Sequence, residues 1–438
     1  MSSDPDSDAG MFERPGTIRL DLADPQFSPD VAEMFAGAAA FAPMLPLEFD
    51  AVHAAAIEQL GGGFTDFGAQ HHGDYREALT WLLESLRTEA GLSGMGHVSL
   101  HTQIVGMLKN RLLLADLVGR HPEIRDIPIE RPIIIVGQPR TGTTHLHNLL
   151  AADPGLRSLH YWESQQPVPI PAEVGIEPDP RLERCGMGLA FLDLALPEFK
   201  RMHEMTVDHV HEEIQLLANS FSTMLFETMA TMPSYREWYR STDQTPHYEY
   251  MKLQLQAMTF LRGGDRWLLK SPQHLEQLPV LNGVFPDAVV LITHRDPVPV
   301  TTSLLTMLGY TARLQVEAVD LHKIGSYWAE RNAQMIESCQ RDRATVPVTR
   351  TMDVIFHEFM ADDLSTVGDI YELADQPLDD RARAAQADYL AHHLRDRHGK
   401  VVYDFEQFGV DPASLRSRFE PYVERFGVRR EWYAAGPP

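Results

Sequence analysis

The 438-residue chain predicts an α/β fold: a three-layer, P-loop-like domain around a parallel sheet, with a helical lead-in before it and a helical insertion within it. Three observations carry this prediction. The apolar, branched runs in "RPIIIVG" (131–137), "RWLLKSP" (266–272) and "AVVLITHRDP" (288–297) lack polar alternation, as strands buried on both faces do. Each run ends at Gly or Pro and is followed by a helical pattern, and such alternation builds a parallel sheet. Lastly, "GQPRTGTT" (137–144) joins the first run to "HLHNLLAADP", the strand, glycine loop and helix order of a phosphate-binding loop.

Residues 1–44 are expected to be largely irregular, with the first dozen disordered. The opening "MSSDPDSDAGMFERPG" is acidic and polar, unlike a signal peptide. Residues 45–125 form the lead-in. "LEFDAVHAAAIEQLGGG", "YREALTWLLESLRTEAGL" and "HVSLHTQIVGMLKNRLLLADLVGRHPEI" repeat apolar residues at three- and four-residue steps, and Gly or Pro closes each.

The main domain spans 126–438. After the loop helix, "QQPVPIPAEVGIEPDPR" reads as a surface loop. The insertion, 186–262, is expected to be largely helical, including "HVHEEIQLLANSFSTMLFETMA" and "YEYMKLQLQAMTFL". "TTSLLTMLGYTA" and "IGSYWAERNAQMIESC" are further helices, and "VTRTMDVIF" is a last strand.

Composition excludes several functions. A net charge of −24 argues against nucleic-acid binding, which needs basic surface; an anion site must be a local basic pocket. Two cysteines, Cys185 and Cys339, give neither a disulfide framework nor zinc spacing, which points to a reducing cytoplasm. No apolar run is long enough to span a membrane. Nothing in the sequence fixes an oligomeric state.

Three motifs carry chemistry. In the loop, Gly137 and Gly142 permit tight turns that aim backbone N–H groups at an oxyanion, and the helix beginning at Thr143 and Thr144 adds its positive end. Thr141 lies within the same turn. The usual P-loop lysine is replaced by Thr143, and Arg140 supplies a guanidinium fork suited to phosphate or sulfonate. In "THRDPVPVTTS", Arg295 follows a strand at the edge where α/β proteins bind ligands, and Ser303 follows eight residues later. In "RWLLKSPQHL", Lys270 is one of only six lysines and sits at a strand end.

Together these motifs resemble the sulfotransferases that use 3′-phosphoadenosine 5′-phosphosulfate. "GQPRTGTT" looks like that family's 5′-phosphosulfate loop in its arginine-bearing branch. "RDPVPVTTS" is similar to its 3′-phosphate motif, and "LKSPQHL" and "FPDAVVLITHRDP" match its large bacterial branch. The resemblance implies a metal-free transfer of a sulfuryl group to a hydroxyl, leaving adenosine 3′,5′-bisphosphate. Gly137, Arg140, Thr141, Gly142, Thr143 and Thr144 would hold the 5′ end of the donor. Arg295 and Ser303 would hold the 3′-phosphate, and Lys270 would neutralise the leaving oxygen. This explains the missing lysine: a sulfuryl donor has no γ-phosphate and needs no magnesium.

The proton acceptor is expected to be Glu163 in "HYWESQQ", with His274, four residues after Lys270, as the rival. His209 and Glu213 in "DHVHEEIQ" would share a helix face as two metal ligands can. No third ligand is apparent; the resemblance, in which the insertion after the loop forms the acceptor region, implies that the pair lines the acceptor pocket, with a structural helix cap as the alternative. The acceptor is expected to be a small neutral or apolar alcohol, phenol, sterol or lipid, because an acidic surface repels polyanions. The competing readings are a P-loop kinase or ATPase and a nucleotide-binding scaffold without activity.

Overall fold

A computed structural model describes residues 15–68, 74–393 and 397–431. Five strands form its sheet: β1 (Ile133–Gly137), β2 (Arg157–Ser158), β3 (Trp267–Ser271), β4 (Val289–His294) and β5 (Thr351–Ile355). All pair in parallel, in the order β2-β3-β1-β4-β5. β1 is central, so its loop opens between the ends of β3 and β4. The register sets Ile135 beside Lys270 and Gly137 beside Thr293.

The three layers follow from the period-2 alternation of strand side chains. Ile134, Val136, Leu269, Val290 and Ile292 point into the larger core. Ile133, Ile135, Leu268, Val289, Leu291 and Val354 point to the opposite face. There they meet Leu146, Leu149 and Leu150 of the loop helix Thr143–Ala151, and Val367 and Ile370 of the helix Asp363–Ala374. Full burial of each such side chain is worth about 1.5–3 kcal/mol.

The lead-in helices Phe49–Gln59, Tyr75–Thr88 and Gly94–Arg120 share the larger core. In Tyr75–Thr88, Asp74 caps the N-terminus and Ala78, Leu79, Leu82, Leu83 and Leu86 are buried, an apolar stripe at helical spacing. The segment expected to be irregular contains a further helix, Pro29–Phe41, capped by Ser28 with Pro29 at its first turn. These are strong start signals. The expected disorder of the first dozen residues lies outside the described residues. Among the described residues, no single helix is long and apolar enough to cross a membrane.

The insertion departs from a simple helical reading. Helices Pro180–Ala195, Ile214–Ala218, Pro233–Ser241 and Thr245–Arg262 flank an irregular stretch, 202–213. There, Tyr161 N donates to His209 O at 2.9 Å and His211 N donates to Leu159 O at 2.7 Å. These long-range bonds hold residues 209–211 extended beside the chain leaving β2, so local periodicity is overridden.

Candidate active site

The loop geometry is set by contacts that only small residues permit. A Cβ on Gly137 would lie 2.0 Å from Thr293 Oγ1, and Gly142 takes φ 88° against Phe356. Arg140 is itself left-handed, with φ 72°, an uncommon state for a residue with a Cβ. Thr141 Oγ1 donates to Gln138 O and lies 2.7 Å from Thr293 Oγ1, tying the turn to β4. Thr143 and Thr144 open the helix Thr143–Ala151, whose first N–H groups form an anion-seeking end.

Arg140 reaches across to the second motif. Its Nε donates to Ser303 Oγ at 2.9 Å, and its other nitrogens donate to Met202 O and Tyr403 Oη. Ser303 is buried in the helix Pro297–Ala312. Arg295, just past β4, donates to Arg140 O at 2.8 Å and lies 4.1 Å from the Phe356 ring centre. Its remaining nitrogens form a bidentate pair with Glu431, at 2.7 and 2.8 Å. Thus the structure brings the loop, Arg295 and Ser303 into one cluster.

Lys270 is 3% exposed at the end of β3, and its Nζ donates to the Glu212 carboxylate. The next residue serves the same strand: Glu213 Oε2 accepts from Lys270 N at 2.8 Å, and its Oε1 lies 2.6 Å from His274 Nε2. His274 also contacts Tyr248 Oη at 2.8 Å. His274 and Glu213 are both wholly buried. Neither borders the cavities described below, so His274 orders the β3 end through Glu213. The expected shared helix face of His209 and Glu213 is not formed; the helix begins only at Ile214.

Glu163 is placed apart from the loop cavities. It lies in a short helix, Tyr161–Gln165, with a 2% exposed side chain bound by Arg157 and Arg262, each at 2.7 Å. Burial alone would raise its pKa, but the two guanidiniums outweigh that and hold the carboxyl below its usual range. Both oxygens are engaged and the residue lines neither cavity. It is a buried counter-ion to two arginines.

Two cavities meet at the loop. One, of about 500 Å³, is lined by Arg140, Thr144, Lys200, His203, His209 and Arg397 among others. The other, of about 630 Å³, passes Arg140, Thr144 and His203 into a mostly apolar arm lined by Leu196, Met224, Met229, Met307 and Trp328. Its lining also includes His145, Arg295, Phe356 and Met360. Glu212 borders the same cavity. His203 and His209 pack with ring centres 5.5 Å apart. Burial, with Lys270 nearby, holds His209 down at about 4, and His203 is likewise well below its ordinary value through burial, His209 and Lys270. Both are neutral at pH 7. Among the described residues, no cluster of three or more His, Cys, Asp or Glu side chains could hold a metal.

Sequence reasoning missed Glu212, His203 and Glu431. Each is brought to the site by chain far away in sequence, and only the carboxylate doublet "HEE" hinted at Glu212.

A parallel sheet whose central strand feeds a glycine loop and helix, with Thr143 at the P-loop lysine position and Arg140 earlier in the loop, has the architecture of a P-loop-related group transferase. The comparison with known families makes this specific: a model of the sulfotransferase family matches residues 132–380, and the chain belongs to that family. Two solved structures are similar along most of their length. Sulfotransferase STF9 from Mycobacterium avium is 27% identical, with a TM-score of 0.77 over 88% of this chain and 98% of that one. Sulfotransferase STF1 from Mycobacterium tuberculosis is 30% identical, with a TM-score of 0.72 over 86% of this chain and 100% of that one. A comparison with curated proteins gives no match. The protein is therefore a transferase enzyme of the sulfotransferase fold.

Proposed function

We propose that the enzyme transfers a sulfuryl group from 3′-phosphoadenosine 5′-phosphosulfate to a hydroxyl of a small apolar acceptor. The observation that carries this reading is the Arg140 bridge to Ser303, 2.9 Å from Nε to Oγ. It joins the two motifs expected to bind opposite ends of one doubly anionic nucleotide. The loop N–H groups and Arg140 would hold the 5′-phosphosulfate, and Arg295 with Ser303 the 3′-phosphate.

In the transfer, the acceptor oxygen forms a bond to sulfur as the bridging S–O bond breaks, releasing adenosine 3′,5′-bisphosphate. Lys270 neutralises the departing oxygen, a type of electrostatic stabilisation that ranks among the largest catalytic effects. The hydroxyl proton passes to Glu212, which borders the apolar cavity and contacts Lys270. This assignment replaces Glu163. Donor binding would draw Lys270 toward the leaving oxygen and free Glu212 to act. No step calls for a metal. The two cysteines are both free and buried, which supports a cytoplasmic enzyme.

Thermal shift tests the donor assignment. Adenosine 3′,5′-bisphosphate without metal should raise the melting temperature by mass action on the folded state, and ATP with Mg²⁺ should do much less. The reverse order would establish the kinase or ATPase reading.

A further inference from the structure

The apolar arm of the larger cavity follows one face of the helix Pro297–Ala312. Leu304, Met307, Leu308 and Thr311 line it in turn, the spacing of a continuous helical stripe. The apolar lining stops past this helix: a third cavity, of about 330 Å³, shares Thr228, Met229, Leu308 and Trp328 with the larger one but adds Glu227, Glu317, Asp320 and Lys323. From Ser303, which Arg140 touches, to Ala312 is nine residues, or about 14 Å of helix axis. The apolar path thus starts at the anion loop and runs well past any phenol-sized acceptor.

At the loop end the lining is polar. Arg140, His203 and Glu212 border the larger cavity, and Lys270 contacts Glu212. Along the arm the side chains are mostly Leu and Met. Unbranched, polarizable methionines adapt to a flexible guest better than to a rigid one. A ligand matched to this shape carries one hydroxyl at its tip and an otherwise bare hydrocarbon chain.

We infer that the acceptor is a long-chain primary alcohol whose alkyl chain lies along this helix face. The inference rests on the donor reading above and deepens it. Carbon–carbon bonds of about 1.5 Å advance an extended chain by about 1.25 Å per carbon. The path therefore accommodates about ten to twelve carbons. Met229 and Met307 both line this arm, so a larger side chain at either position should shorten it.

The experiment is transfer of radiolabelled sulfuryl groups to n-alkan-1-ols from butanol to dodecanol, with a sterol in parallel. Each added methylene should raise kcat/KM about three- to fourfold, with a plateau near ten to twelve carbons. Met307→Trp should shorten the plateau and lower the dodecanol-to-butanol ratio of kcat/KM at least tenfold. Met229→Trp should do the same, and the melting-temperature rise with adenosine 3′,5′-bisphosphate reports that each variant is folded. A flat chain-length profile, transfer to the sterol alone, or an unchanged ratio in both folded variants overturns the inference with the donor reading intact. Failure of wild type to bind the bisphosphate removes the donor reading, and this inference with it.

Discussion

Glu431 holds the guanidinium of Arg295 in a bidentate pair, at 2.7 Å to Nε and 2.8 Å to Nη2. The third nitrogen donates to Arg140 O, so every arm of Arg295 is engaged. A second contact anchors the same tail, because Glu431 N donates to Asp296 Oδ2 at 2.7 Å. The carboxylate therefore occupies the position proposed for the donor's 3′-phosphate. Both anions cannot share one guanidinium without repulsion.

Replacing Glu431 with Gln should consequently tighten adenosine 3′,5′-bisphosphate binding about 5- to 50-fold, within the usual range of a coupling between competing contacts. Adenosine 5′-monophosphate, with no 3′-phosphate, should bind both proteins alike. Arg295→Ala should weaken the bisphosphate by about 2–5 kcal/mol and leave the monophosphate nearly unchanged. Calorimetric titration reads all of these. Weaker bisphosphate binding in Glu431→Gln would mean that the tail orients Arg295 for the ligand rather than competing with it.

The base assignment separates two carboxylates. Glu212→Gln should lower kcat about 10²- to 10⁴-fold, the usual worth of general acid–base catalysis. Bisphosphate affinity should change little. Glu163→Gln should keep the rate, measured on folded enzyme. His203 is the next residue to substitute if Glu212→Gln retains full turnover, since its neutral imidazole borders both cavities.

For Glu163 the expected loss is in stability. Its carboxylate neutralises Arg157, 11% exposed, as well as Arg262. Removing one partner of a buried pair costs about 3–5 kcal/mol. Because the folded-state pKa is depressed, this contribution is fully present above the unfolded carboxylate pKa. It is lost as pH falls through the lower folded value. Wild type should therefore lose stability over that acidic window more steeply than Glu163→Gln, as denaturant titrations at several pH values would reveal. Parallel pH curves for the two proteins would refute the linkage.

What the sequence made legible is what local chemistry determines. The strands around β1, the loop glycines, and the spacing of Arg295 and Ser303 are encoded within short windows, and the fold follows from them. The ion pairs of Glu163 were not legible because its partners lie 6 and 99 residues away, beyond any local pattern. "HVHEEIQ" has helical spacing, yet its backbone bonds to 159 and 161, so tertiary pairing decided its conformation. The helix Pro29–Phe41 is the opposite case. Its Ser-Pro start was present in the sequence, and composition obscured it.

Gly142 offers the most local test of the loop. A side chain there meets two separate obstacles: a φ of 88° and a Phe356 Cδ2 atom 3.0 Å from the new Cβ. The left-handed conformation alone costs a non-glycine residue about 1–2 kcal/mol, and the close contact adds to it. Gly142→Ala should therefore lower stability by at least that amount. It should weaken bisphosphate binding too, because the loop must shift away from Phe356. The two causes can be separated with Phe356→Ala, which removes the steric obstacle and leaves the backbone cost. Since Phe356 also stacks on Arg295 at 4.1 Å, its own effect has to be subtracted through a double-mutant cycle. The expected coupling is favourable: Gly142→Ala should cost less in the Phe356→Ala background than in wild type. An equal cost in both backgrounds would place the whole penalty in the backbone and remove Phe356 as the brace of the loop.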